Sequence, residues 1–125
     1  MISRSSRPAA PEQAWNRFAE KDPFTYILTS LKNSDPGAFW QSGCETVRAE
    51  LLPFIHNQAI SRGIGMELGC GVGRLIFPLA PHFQEIWGVD IAEAMVKRAR
   101  SFALDRDIRN VRFSAVSGPD DLLNS

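Results

Sequence analysis

Apolar and polar positions along this chain change rhythm once, near residue 62. Before that point the spacing is helical. From Pro11 to Lys21 the apolar residues Ala14, Trp15, Phe18 and Ala19 fall on one face of a helix. Pro23 breaks it, and Thr25 to Leu31 fits a second short helix. Asn33-Ser34-Asp35-Pro36-Gly37 then reads as a loop that opens a third, with Asp35 as N-cap and Pro36 at the first helical position. That helix runs through Phe39, Trp40, Val47, Leu51 and Leu52, until Pro53 ends or kinks it. A last helical piece reaches toward Ile60, and Ser61-Arg62-Gly63 is the turn out.

Beyond residue 62 short apolar runs alternate with helical stretches. Ile64 to Leu68 is a strand, Val72 to about His82 a helix interrupted by Pro78, and Glu85 to Val89 a second strand with Asp90 at its tip. Ile91 to Leu104 is a helix with Ile91, Met95, Ala99 and Phe102 on one face, and Asn110 to Val116 is a third strand. The order β-α-β-α-β predicts an α/β fold, a Rossmann-like parallel sheet of three strands with right-handed crossovers. The expected organisation is a flexible tail over residues 1–11, a helical extension over 12–62 and the sheet domain over 63–125.

Composition narrows the function classes. A chain of 125 residues fits one domain. Fourteen Lys and Arg balance fourteen Asp and Glu, so net charge makes no case for nucleic acid or an anionic membrane as partner. The basic residues Lys97, Arg98, Arg100, Arg106, Arg109 and Arg112 are interleaved with Asp105 and Asp107 and read as a solvated face. No window reaches the roughly 18 consecutive apolar residues of a membrane span. Cys44 and Cys70 do not form a disulfide framework, and both are expected as reduced thiols in a cytoplasmic protein. The Arg- and Ser-rich start lacks an apolar core of a secretory signal; it loosely fits a transit peptide, and a disordered start is the plainer reading. His56 and His82 have no partners at metal-ligand spacing, so no metal is expected.

The chemistry concentrates in Glu67-Leu68-Gly69-Cys70-Gly71-Val72-Gly73-Arg74, the end of a strand, an acid and a glycine loop opening a helix. A parallel α/β sheet binds ligands at the carboxyl ends of its strands, where Glu67 and Asp90 both fall. Glycines at 69, 71 and 73 allow a tight turn and close approach of a ligand to the main chain. The loop's N–H groups suit a carboxylate, and Glu67 suits an ammonium. Asp90, a two-oxygen acceptor, suits the two hydroxyls of a ribose. An amino-acid end over the glycines and a ribose on Asp90 together describe S-adenosylmethionine.

The same glycine run, followed by Gly88-Val89-Asp90-Ile91-Ala92-Glu93-Ala94-Met95, resembles the first two signatures of the class I S-adenosylmethionine-dependent methyltransferases. The resemblance covers roughly residues 64 to 118. It implies that the loop residues Gly69, Cys70, Gly71, Gly73 and Arg74 face the methionine part of the cofactor. It further implies that Asp90 binds ribose and that Ile91 and Met95 flank the adenine. Ser117-Gly118 resembles a variant of the third signature, with its acid displaced to Asp120 or Asp121. Phe39-Trp40-Gln41-Ser42-Gly43 is similar to helical extensions of some bacterial members. A small-molecule methyl acceptor is the expected partner.

Each residue also has a plainer use. The loop could be an ordinary strand-to-helix turn, Asp90 a helix N-cap, Glu67 one half of an ion pair, Cys70 a small core filler and Met95 core. The cluster Trp15, Phe18, Phe24, Tyr26, Phe39 and Trp40 reads as helix packing, with a substrate cage as its alternative. Members of the family carry a sheet of about seven strands, so three strands are expected to be the N-terminal portion of a domain cut short. The catalytic base stays unassigned, and Ile64 to Leu68 is expected as an unpaired edge through which the chain self-associates. Two other functions stay open: a catalytically inactive cofactor-binding module, and a nicotinamide-dependent oxidoreductase. The second needs a third glycine where Arg74 stands.

Overall fold

The structure is a computed structural model and describes residues 10–22, 24 and 35–123. The helix expected over Thr25 to Leu31, and with it Tyr26, lies outside the described residues. Helix α1 spans Pro11–Lys21, so Pro11, assigned to the tail from sequence, is already its first residue. Helix α2 spans Pro36–Thr46, and Asp35 caps it as expected, its carboxylate accepting the Ala38 N–H at 3.2 Å. Pro53 neither ends nor breaks this helix. A π turn over Val47–Leu51 carries the chain directly into α3, Leu52–Asn57. Proline offers no N–H to the ladder, and one widened turn just before it is how the helix absorbs the mismatch.

The sheet follows in the order β1 (Ile64–Leu68), β2 (Glu85–Asp90), β3 (Val111–Ala115), all parallel, with Met66 beside Trp87 and Trp87 beside Arg112. Between β1 and β2 the helix is shorter than its pattern implied. Residues 72–75 are turns, α4 occupies only Ile76–Leu79, and a 3₁₀ turn covers Ala80–His82. Pro78 fits because the first turn of a helix has no acceptor for its N–H. Between β2 and β3, α5 spans Glu93–Asp105, so Ile91 lies before the helix rather than on its face. A short α6, Pro119–Leu123, follows β3.

Helices α4 and α5 cover one face of the sheet. There Ile86, Val111 and Phe113 pack with Ile76, Phe77, Val96 and Ala99, and Val47 joins them from the π turn. A second cluster, Ala19, Phe39, Val72, Ala92 and Met95, ties α1 and α2 to the region between the glycine loop and α5. Trp40 packs against both clusters, edge-on to Phe39, Phe77 and Phe102. On the opposite face, alternation along β1 presents Ile64, Met66 and Leu68, each more than half exposed. No helix among the described residues is long and apolar enough to cross a membrane.

Candidate functional site

The carboxyl ends of β1 and β2 place two acids beside one cavity of about 640 Å³. The loop between them is anchored to β2, since the N–H groups of Gly69 and Cys70 both donate to the Val89 carbonyl, at 2.7 and 3.1 Å. Its glycines all adopt positive φ: 74° at Gly69, 54° at Gly71 and 98° at Gly73. Gly73 is needed twice over, because a Cβ there would lie 2.7 Å from the Phe77 ring.

Asp90 is held from both sides. Its Oδ2 accepts the Gly71 N–H at 2.8 Å and its Oδ1 accepts the Ala92 N–H at 2.9 Å. It does not cap α5, whose N-cap position belongs to Ala92 with no side-chain cap. A carboxylate offers about four lone-pair sites, so two remain for a ligand. Glu67 is the opposite case. Its Oε2 is buried and finds no hydrogen-bond partner among the described residues. Burial pushes its pKa from 4.5 up to about 7; the nearby Arg74 guanidinium pulls it down, and the Asp90 charge pushes it further up. A buried carboxyl without a partner costs free energy until something donates to it.

Arg74 lines the cavity and also turns toward α2, donating to Ser42 Oγ at 3.3 Å and Thr46 Oγ1 at 3.4 Å. The close approach behind this contact depends on Gly43, where a Cβ would fall 2.1 Å from the Arg74 carbonyl oxygen. Sequence reasoning found Gly43 within a family-like stretch and gave it no role; only the packing of α2 on the loop reveals one.

Of the residues singled out from sequence, Glu67, Gly69, Cys70, Gly71 and Arg74 line the cavity from the loop side. Asp90 at the end of β2, Ile91 in the turn after it, Met95 in α5 and Gly118 beyond β3 line it from the other side. Gly73 does not; it is buried behind the loop. Ser117 does not either: it is exposed, and its N–H and hydroxyl both bond to the Asp121 carboxylate. That pairing removes Asp121 from the cavity side as well, since its carboxylate serves the turn into α6. Cys70 is buried and its thiol is pushed far above the usual range by burial, with Asp90 and Glu67 adding to the effect, so it is a wall and not a nucleophile. Spacing gives no sign of the apolar lining residues Leu68, Leu75, Val116 and Leu122, and Trp15, read as helix packing with a substrate cage as the alternative, lines the cavity.

Residues 66–122 match a family model described as a methyltransferase domain. The chain is 39% identical over 79 residues to a 23S rRNA (uracil(1939)-C(5))-methyltransferase, RlmD, of Alkalilimnicola ehrlichii, spanning 62% of this chain and 18% of that one. It is 36% identical over 61 residues to the uncharacterized methyltransferase YcgJ of Bacillus subtilis, spanning 45% of this chain and 24% of that one. In fold it is similar to a crystal structure of an S-adenosylmethionine-dependent methyltransferase from Clostridium acetobutylicum, with a TM-score of 0.54 at 17% identity over 82% of this chain and 37% of that one. The chain thus spans about a quarter or less of the length of these two curated relatives.

Proposed function

We propose that this chain, whose residues 66–122 match a methyltransferase-domain model, is part of an S-adenosylmethionine-dependent methyltransferase and that its cavity holds the cofactor between Glu67 and Asp90. The observation that carries this reading is the buried Glu67 Oε2, which has no partner of its own and takes the cofactor's ammonium as donor. Asp90, held by two N–H groups, turns its remaining lone pairs to the ribose hydroxyls. Arg74 receives the carboxylate, since the N–H groups of Gly69, Cys70, Gly71 and Gly73 are already engaged within the protein and do not serve it as expected. Ile91, Met95 and Gly118 form the wall toward the adenine.

When bound, S-adenosylmethionine supplies a methyl group on a sulfonium, open to in-line displacement by an acceptor atom. The residues described here bind and orient; they hold the reacting carbon in place and exclude water. The acceptor we propose is a small molecule. The balance of charge supports this, as does the use of the basic residues. Arg100 donates to the Phe113 carbonyl, Arg109 pairs with Asp107, Arg112 lies near Glu85, and Arg106 stacks over Trp40. Little of the basic run is left for a phosphate backbone. Salt-sensitive retention of rRNA by the chain in a filter assay would reverse this choice.

Isothermal titration with S-adenosylhomocysteine tests the cofactor reading, and absence of heat from a folded chain overturns it. Methyl transfer by the purified chain removes the alternative of an inactive binding module. Tight binding of NAD with none of S-adenosylhomocysteine would revive the oxidoreductase. The exposed Ile64, Met66 and Leu68 support self-association through β1. Light scattering at rising concentration checks it, and a monomer with a sharp cooperative melt counts against it.

A further inference from the structure

We propose that Trp15 is a binding residue of this site, an indole laid by α1 against the nucleoside end of the ligand. The inference rests on the cofactor reading above. Its first observation is placement: Trp15 lines the same cavity as Asp90, Ile91 and Met95, although it lies 75 residues before Asp90. The second is how it is held. Asn16, its neighbour, accepts the Ala94 N–H through Oδ1 at 3.0 Å. Ala94 is the second residue of α5, and its N–H is one of the orphan donors of a helix start. The N-cap residue, Ala92, has no side chain able to satisfy it, so α1 supplies the cap from a distance. That bond sets α1 on the start of α5, beside the turn leading out of Asp90 on the ribose side of the cavity.

Two further contacts make the placement firm. Ala19, one turn on from Asn16, is fully buried in a cluster with Ala92 and Met95. Phe18 meets the Trp15 ring edge-on, with centroids 5.4 Å apart and planes at 87°. Trp15 itself remains 38% exposed, so a large aromatic surface stands beside the cavity instead of inside the core. A purine is the partner such a surface suits, because stacking uses the whole face of both rings and needs no donor. The adenosine end of the ligand brings one to this side of the site.

The test is titration of the chain and of Trp15→Ala, Trp15→Phe and Asn16→Ala with S-adenosylhomocysteine and with adenosine. Trp15→Ala is expected to weaken both ligands alike, by about 5- to 100-fold. Trp15→Phe is expected to keep most of the affinity, and Asn16→Ala to lose less than Trp15→Ala does. Unchanged affinity in Trp15→Ala overturns the proposal, and so does a loss confined to S-adenosylhomocysteine, which would put the indole at the amino-acid end. If the parent chain binds neither ligand, the cofactor reading fails and this proposal falls with it; if the parent binds and Trp15→Ala equals it, only the proposal falls. Should Trp15→Ala not fold, acrylamide quenching of the parent minus that of Trp15→Phe isolates the Trp15 signal. Adenosine should shield that signal, and no shielding overturns the proposal.

Discussion

Glu67 and Asp90 sit at the tips of adjacent parallel strands and face one cavity, yet the fold treats them in opposite ways. Asp90 receives two backbone N–H groups, one from the glycine loop and one from the turn into α5, so its carboxylate is oriented before any ligand arrives. Glu67 receives none at its buried oxygen, and its pKa rises to about 7. One acid is a strut held by the backbone; the other has no donor at its buried oxygen, and under the proposed function the ligand's ammonium supplies one. The same residue class near the carboxyl ends of neighbouring strands therefore stands in different surroundings, and the difference lies in who donates the hydrogen bonds.

The largest expected effect is at the strut. Asp90→Ala removes the ribose acceptor and also releases Gly71 and Ala92. Hydrogen bonds to a charged group contribute about 1.5–3 kcal/mol each, so the loss of affinity for S-adenosylhomocysteine should exceed roughly a hundredfold. The melting temperature should fall as well. Asp90→Asn tests the double role, because an amide can accept from one of the two N–H groups but not from both. Unchanged affinity in Asp90→Ala would defeat the ribose assignment.

Glu67→Gln is expected to come next, with affinity down by roughly 10- to 100-fold as the ion pair with the ammonium is lost. Its stability should move the other way. Glu67 has a folded pKa above its ordinary 4.5, so its stabilising contribution is complete below about 4.5 and is lost as pH rises through about 7. At pH 8 the buried charge costs on the order of 3 kcal/mol, and an uncharged amide avoids it. Denaturant melts should find Glu67→Gln more stable than the parent at pH 8 and no more stable at pH 5. A variant less stable at both would show that Glu67 has a structural partner after all.

Much of this site could be read from the residues, for a physical reason. The three glycines at positive φ and the acids near the ends of β1 and β2 are local features, and local features leave a trace in spacing. Spacing places β1 to the residue and β3 to within one at each end, because short apolar runs bounded by turn residues mark strands. What spacing does not carry is tertiary satisfaction. Nothing near Asp90 in sequence announces that Gly71 and Ala92 already use it, and nothing near Glu67 announces that it lacks a donor. The Asn16 cap on Ala94, 78 residues away, and the fit of Gly43 against Arg74 are equally silent. Spacing overstates the length of α4, because Pro78 reads as an interruption or kink in a longer helix, whereas it sits in the opening turn of a short one.

A pH titration of cofactor affinity sharpens the comparison further. Below about pH 7 the Glu67 carboxyl holds a proton that the incoming ammonium must displace. Affinity for S-adenosylhomocysteine should therefore fall as pH drops through 7, approaching tenfold per unit. Titration in two buffers of different ionisation enthalpy should register release of up to one proton at pH 6 and little at pH 8.5. Glu67→Gln should flatten both dependences, while Trp15→Phe should leave them in place.

The smallest effect is the shift that Arg74 imposes on the Glu67 midpoint, and it bears on why the two acids differ. Arg74 is the one neighbour that lowers the Glu67 pKa, against burial and the Asp90 charge, which raise it. Its guanidinium is drawn toward α2 by the Ser42 and Thr46 hydroxyls, so its charge stands near Glu67 without pairing with it. A direct ion pair would ionise Glu67 and occupy the group that the ammonium needs. Removing the charge in Arg74→Gln should lower affinity at every pH, as the ligand's carboxylate loses a donor, and should in addition shift the midpoint of the affinity profile upward. Ser42→Ala should shift it the other way, as one tether to α2 is lost and the guanidinium can lean toward Glu67. Shifts of opposite sign in these two variants would establish that α2, through two hydroxyls, keeps Glu67 free for its ligand.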